Sequence, residues 1–167
     1  MGASAALHHV GLQVAHIERA GDFYCQALGG RWLVRPVTFE GRGADQAMGT
    51  AGVRLRLAMI GLANGAVELF EFLEPVAPEW ARRAHDGRLP HLAVQVDDTD
   101  AALERVEAAG GRRVWPAVDR FGAARVIYVT DPDGNVVELL DRPPSDIVGA
   151  LLRWFPDAAP APPAGEA

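Results

Sequence analysis

Histidine and glutamate are the residues with which this sequence can do chemistry, and it places them twice. His9 opens the stretch HVGLQV (9–14), and His91 opens the near-copy HLAVQV (91–96). Glu68 lies in AVELFEF (66–72) and Glu138 in NVVELLD (135–141). Imidazole nitrogens and carboxylate oxygens together suit a divalent transition metal. Each residue alone has a bland explanation: a histidine at the start of a strand is ordinarily structural, and a glutamate in a strand ordinarily faces solvent. Repetition gives them weight. A carboxylate within runs as apolar as these is costly unless it is paired or metal-bound, and the arrangement recurs at matching positions.

Composition removes several competing chemistries. The chain has 16 arginines and no lysine, which excludes Schiff-base catalysis, a P-loop lysine and pyridoxal phosphate attachment. Its two serines, Ser4 and Ser145, lie in no G-x-S-x-G elbow. Cys25 is the one cysteine, so there is no internal disulfide and no multi-cysteine zinc or iron–sulfur site. GRGADQ (41–46) lacks the third glycine of a dinucleotide fingerprint. A net charge of −6 argues against nucleic acid or an anionic membrane as partner. No apolar run is long enough to span a bilayer, and MGASAALHHV turns polar too early for a signal peptide. The expectation is a soluble cytoplasmic protein acting on a small molecule.

The elements that must position these residues also come in two sets. Residues 17–28 repeat apolar side chains at helical spacing (Ile17, Ala20, Phe23, Tyr24, Ala27, Leu28) and end in Gly29-Gly30. Residues 97–111 do the same with Ala102, Leu103, Val106 and Ala109, after an Asp-Asp-Thr-Asp cluster that offers N-caps and before Gly110-Gly111. Extended segments follow at 31–39 and 112–118. Two further strands then close each set: 52–60 and 67–72 around LANGA, and 124–130 and 137–141 around DPDGN. Asn-Gly and Asp-Gly-Asn read as hairpin turns because Asn and Gly accept positive φ. The order strand–helix–strand–strand–strand thus occurs twice, predicting an α+β fold of two βαβββ modules. Residues 1–73 form the first module, 74–90 a linker and 91–142 the second. Residues 143–167 form a short helix capped by Ser145 and a disordered tail, and residues 40–51 a mobile loop.

Alternation within the strands then assigns faces. Val10, Leu12 and Val14 share one face and His9, Gly11 and Gln13 the other; Leu92, Val94 and Val96 likewise oppose His91, Ala93 and Gln95. Aliphatic faces pack on helices, so the histidines, Glu68 and Glu138 line the open side of a curved, cup-like sheet. If Thr130 lies opposite Val136, Tyr128 faces Glu138 and its hydroxyl reaches the same cavity; the alternative is a tyrosine that only packs. Arg54 and Arg56 would meet an acidic substrate group or coat an outer face, the second being favoured. His8 is on the face opposite His9 and reads as structural; His16 and His85 read as exposed. Cys25 reads as a small buried hydrophobe, and DPDGN as a turn, since it lacks the spacing of a calcium loop.

The stretches HHVGLQV, DFYCQALGG, VELFEF, HLAVQV and DPDGNVVEL resemble the vicinal oxygen chelate superfamily, over about residues 7–142. That superfamily holds glyoxalase I, methylmalonyl-CoA epimerase, extradiol dioxygenases and the fosfomycin and bleomycin resistance proteins. The resemblance implies a glyoxalase-like fold with metal ligands from the first and last strands of each module: His9, Glu68, His91 and Glu138. The implied cofactor is a divalent ion (Ni, Co, Zn, Mn or Fe). The implied activity is that of a lyase or isomerase working through an enediolate or enolate, with Glu138 as the proton-shuttling carboxylate and Glu68 next. It also implies a homodimer, with the modules pairing within one chain or across two. A non-catalytic drug- or metabolite-binding protein is the alternative. An Fe(II) extradiol dioxygenase is disfavoured by a fourth ligand at Glu68. Two departures stand out. Gln13 occupies the position where glutathione-using members carry arginine, which argues against glutathione. Methylmalonyl-type epimerases usually carry glutamine where this chain has Glu68.

Overall fold

A computed structural model describes residues 6–76, 91–114 and 119–158. The first half runs β1 (His9–Gln13), α1 (Ile17–Leu28), β2 (Arg31–Glu40), α2 (Arg42–Met48), β3 (Arg54–Leu62) and β4 (Gly65–Glu74). The second runs β5 (Leu92–Gln95), α3 (Thr99–Ala108), β6 (Arg112–Arg113), β7 (Asp119–Phe121), β8 (Ala124–Thr130) and β9 (Val136–Leu140). Helix α4 (Pro144–Trp154) and a 3-10 turn (Pro156–Ala158) follow. Strand order is β1-β4-β3-β2 in one sheet and β5-β9-β8-β6 in the other, with β7 pairing β8. In both sheets the first strand lies parallel to the last, and every other pairing is antiparallel. The α+β architecture of two βαβββ modules is as the sequence pattern predicts.

The apolar periodicities explain why the elements form and where they pack. Ile17, Ala20, Phe23, Tyr24 and Ala27 of α1 are all buried. The helix ends at Gly29, whose φ of 67° is the left-handed conformation a Cβ would penalise. Helix α3 starts at Asp98, whose carboxylate accepts from the Asp100 and Ala101 amides at 2.8 and 3.1 Å. Leu12, Val67 and Leu69 from one sheet and Ile127, Val129, Val137 and Leu139 from the other join both helices in one core. Helix α1 packs on β2, β3 and β4, helix α3 on β6, β8 and β9, and the two helices pack on each other. Each sheet therefore keeps a face turned away from α1 and α3.

The DPDGN turn does more than connect β8 to β9: it fastens the second module to the first. Asp131 is fully buried. One of its oxygens accepts from the Asp133 and Asn135 amides at 2.9 and 2.7 Å; the other accepts from the Tyr24 hydroxyl at 3.1 Å and from Asn135 Nδ2 at 2.7 Å. Asn135 Nδ2 also donates to the Gln13 carbonyl at 3.3 Å, and Arg19 pairs with Asp133. Burial pushes the Asp131 carboxyl above the usual range, against the lowering effect of these hydrogen bonds. Gly134, with φ 83°, permits the turn.

Several expectations need correction. The segment expected as a mobile loop contains a helix, α2, bracketed by Gly41 (φ 77°) and Gly49 (φ 70°). Asp45 ties it down by accepting from the Val53 amide at 2.8 Å. Its Ala44 is buried with Val53 and Leu55 in a small second core, against which Phe39, Met48, Leu57, Phe70 and Phe72 pack. Ser145 is not a cap: α4 begins at Pro144, favoured in a first turn because its missing N–H has no intrahelical partner there, and Pro143 holds the N-cap position with no side-chain bond. The extended segment at 112–118 narrows to a two-residue β6, residues 115–118 lying outside the described set, and β7 is an added strand. The β3–β4 hairpin turns without positive φ at Asn64 or Gly65, so it is not the primed turn that Asn-Gly suggests. Cys25 is only partly buried. The 159–167 tail, His85 and most of the linker lie outside the described residues.

Candidate metal centre

The parallel pairing of first and last strands brings each histidine to its glutamate. On β1 and β4, Gly11 pairs with Glu68; on β5 and β9, Ala93 pairs with Glu138. In each module the histidine lies two residues before the small residue opposite the glutamate, on the same strand face. The outcome is the same contact twice: His9 Nε2 to Glu68 Oε2 at 3.1 Å and His91 Nε2 to Glu138 Oε2 at 3.1 Å. Exposure is matched too, 36% and 37% for the imidazoles against 19% and 14% for the carboxylates. Each pair has a shielded carboxylate and a histidine more open to solvent.

The four residues expected in one cavity form two pairs, and no group of three or more metal-binding side chains is found among the described residues. Helices α1 and α3 lie against the opposite faces of the two sheets, so the intrachain packing that builds the core does not bring the His-bearing faces together.

The pairs differ in what surrounds them. Tyr128 lies directly opposite Glu138 across β8–β9, as expected, and its hydroxyl donates to Glu138 Oε1 at 2.9 Å. Its ring meets His91 edge-on, with centroids 5.7 Å apart. The residue opposite Glu68 is Met59, which offers no comparable donor. Around His9 the partner is His8. Its Nδ1 lies 2.7 Å from His9 Nδ1 and the rings meet edge-on. His8, expected to be structural and on the far face, meets His9 instead: it precedes the regular strand, where alternation does not fix its direction.

The arginines are engaged elsewhere. Arg56 pairs with Glu18 and, at 3.0 Å, with Glu71; Arg54 pairs with Glu40 at 3.2 Å and Glu74 at 3.6 Å. The Arg56 bond holds the Glu18 carboxyl below its ordinary value. Beyond Glu68 the open face of the first sheet becomes apolar, through Leu57, Phe70 and Phe72 beneath α2. His16 is exposed, as expected, at the N-terminus of α1.

Fold and side chains together define a class: duplicated βαβββ modules, each presenting an imidazole and a carboxylate from its first and last strands. The chain belongs to the Glyoxalase/Bleomycin resistance protein/Dioxygenase superfamily, whose family model matches residues 6–139. It is similar to a lactoylglutathione lyase of Neisseria meningitidis, 30% identical over 143 residues that cover 84% of this chain and 93% of the relative. It is also similar to a 2-epi-5-epi-valiolone epimerase of an Actinomyces species, 27% identical over 157 residues, covering 84% and 81%. Among solved structures, a glyoxalase family protein from Bacillus cereus superposes with a TM-score of 0.73 at 20% identity, covering 83% of this chain and 95% of that one. A fosfomycin resistance protein from Listeria monocytogenes gives 0.61 at 17% identity, covering 87% and 99%. These structures share the fold. No helix among the described residues is long and apolar enough to cross a membrane.

Proposed function

We propose that the protein is a divalent-metal-dependent lyase or isomerase that moves a proton at a carbon next to vicinal oxygens of a small molecule. The observation that carries this reading is the duplicated His Nε2–Glu Oε2 contact at 3.1 Å, in equivalent positions of the two modules. The donor set fits a borderline cation: two imidazole nitrogens and two carboxylate oxygens, all half-exposed or better shielded. His9, Glu68, His91 and Glu138 would hold it. Bound there, the cation supplies positive charge that lowers the cost of taking a proton from carbon beside a carbonyl.

The chain's own groups divide the remaining work. Glu138 is the better proton carrier of the two glutamates. The Tyr128 hydroxyl donates to one of its oxygens and fixes its orientation, so the carboxylate is aimed before substrate arrives. Glu68 has no such donor opposite it and serves mainly as a ligand. The partly exposed edges of Leu57, Phe70 and Phe72, which otherwise pack against the α2 cluster, would meet the uncharged part of the substrate. Gln13 in place of an arginine, with Arg54 and Arg56 engaged in ion pairs, disfavours glutathione adducts. Because each chain presents two half-sets, we propose a homodimer in which each protomer contributes one pair to a site shared with its partner.

A non-catalytic role in sequestering a metabolite or drug is the second reading, favoured by the apolar wall beside the pair. The deciding experiment loads purified protein with Co, Ni, Mn, Zn or Fe(II) in turn and measures bound metal per chain. Loaded protein is then incubated in deuterated water with a panel of 2-hydroxy ketones, hemithioacetals and 3-keto acids. About one metal per chain and deuterium entering at carbon support the enzyme. Binding without exchange that persists in Glu138→Gln supports sequestration. Failure to bind any of the metals removes the proposal.

A further inference from the structure

We infer that His8 is a positioning residue for His9, serving as the acceptor that His9 needs when its Nε2 is committed to a metal ion. The inference rests on the reading of His9 as a ligand. A neutral imidazole carries one proton on two nitrogens. His9 directs Nε2 at Glu68, 3.1 Å away, and Nδ1 at His8 Nδ1, 2.7 Å away. Without a cation, His9 Nε2 bears the proton and donates it to the carboxylate, while His9 Nδ1 accepts from His8 Nδ1. A metal-bound Nε2 must offer its lone pair, so the His9 proton moves to Nδ1 and the neighbour must now accept.

A carboxylate or carbonyl in place of His8 would accept only, and would suit the loaded state alone. An imidazole suits both. His8 moves its own proton from Nδ1 to Nε2 as His9 moves its proton the other way, so the bond persists with its direction reversed and no net proton is gained or lost. Metal-ligating histidines are ordinarily oriented by an acceptor on the second ring nitrogen, and losing it weakens metal binding by about 10–100-fold. The edge-on contact of the two rings, 5.0 Å between centroids, holds them in register for this exchange. His91 meets the Tyr128 ring at the equivalent step, so the device belongs to the first module.

The test is a zinc titration of the full chain, read by calorimetry and by long-range proton–nitrogen correlations of its histidine rings, above the ordinary imidazole range. On loading, wild type is expected to place the proton of His9 on Nδ1 and that of His8 on Nε2. His8→Phe keeps the ring contact but removes the acceptor; it is expected to bind zinc about 10–100-fold more weakly. His8→Asn, which restores an oxygen acceptor, is expected to recover most of that loss. Wild-type affinity in His8→Phe, or a loss in His8→Asn as large as in His8→Phe, overturns the inference. His9→Ala separates the two claims: if it binds zinc like wild type, it is the ligand assignment of His9 that has failed.

Discussion

At the residue scale, the two glutamates have unequal surroundings and should have unequal consequences. Glu138→Gln keeps an oxygen ligand but cannot take up a proton. It is expected to lower the deuterium-exchange rate of metal-loaded protein by about 10²–10⁴-fold while bound metal stays near its wild-type level. Tyr128→Phe removes a hydrogen bond to a charged group, worth about 1.5–3 kcal/mol, and should lower the rate about 10–100-fold. Metal content of that variant should change little, since the tyrosine is not among the four residues that would hold the ion. Equal losses in Glu68→Gln and Glu138→Gln would remove the special role given to Glu138. These side chains were legible in the sequence because strand alternation and duplication act together: His9 and His91 each share a face with the later glutamate. The His8 contact was not legible, because alternation stops where the strand begins.

At the element scale, the turn from Asp131 to Asn135 is the joint between modules. Asp131→Ala strips partners from four donors in a fully buried position and is expected to cost on the order of 3 kcal/mol, read by denaturant unfolding. The pH dependence has a definite sign. Burial raises the folded-state value of Asp131, so its stabilising term is complete below the ordinary aspartate range. That term declines as pH rises from there through the elevated value. The stability of wild type relative to Asp131→Asn should therefore fall over that interval; a constant difference would contradict the assignment. The sequence identified DPDGN as a turn but concealed its second task, because a turn's composition reports its own backbone and not what docks on it. Helix α2 was hidden for a related reason: glycines at 41, 43 and 49 weaken any helical pattern, and Ala44 and Met48 become apolar anchors only once Phe39, Leu55 and Phe72 are placed beneath them. Helices α1 and α3 were legible because each carries its own stripe and stop signal.

At the scale of the whole molecule, the shared helical core and the two separated His–Glu pairs belong together. Each helix packs on its own sheet and on the other helix, so the faces bearing the pairs are turned from that core. A complementation experiment tests whether protomers share sites. One chain carries His9→Ala and Glu68→Ala; the other carries His91→Ala and Glu138→Ala. Neither alone should bind metal tightly. Mixed by refolding together, they should form a heterodimer with one intact site and one void site, recovering up to half the metal per dimer; sites built within single chains would recover nothing. Duplication gave one polypeptide both halves of the donor set, yet its folding core separates them. In kinetic terms, the catalyst would then be a second-order species. Dilution below the dimer's dissociation constant would reduce the rate per chain, whereas raising the chain's abundance would increase total activity more than proportionally.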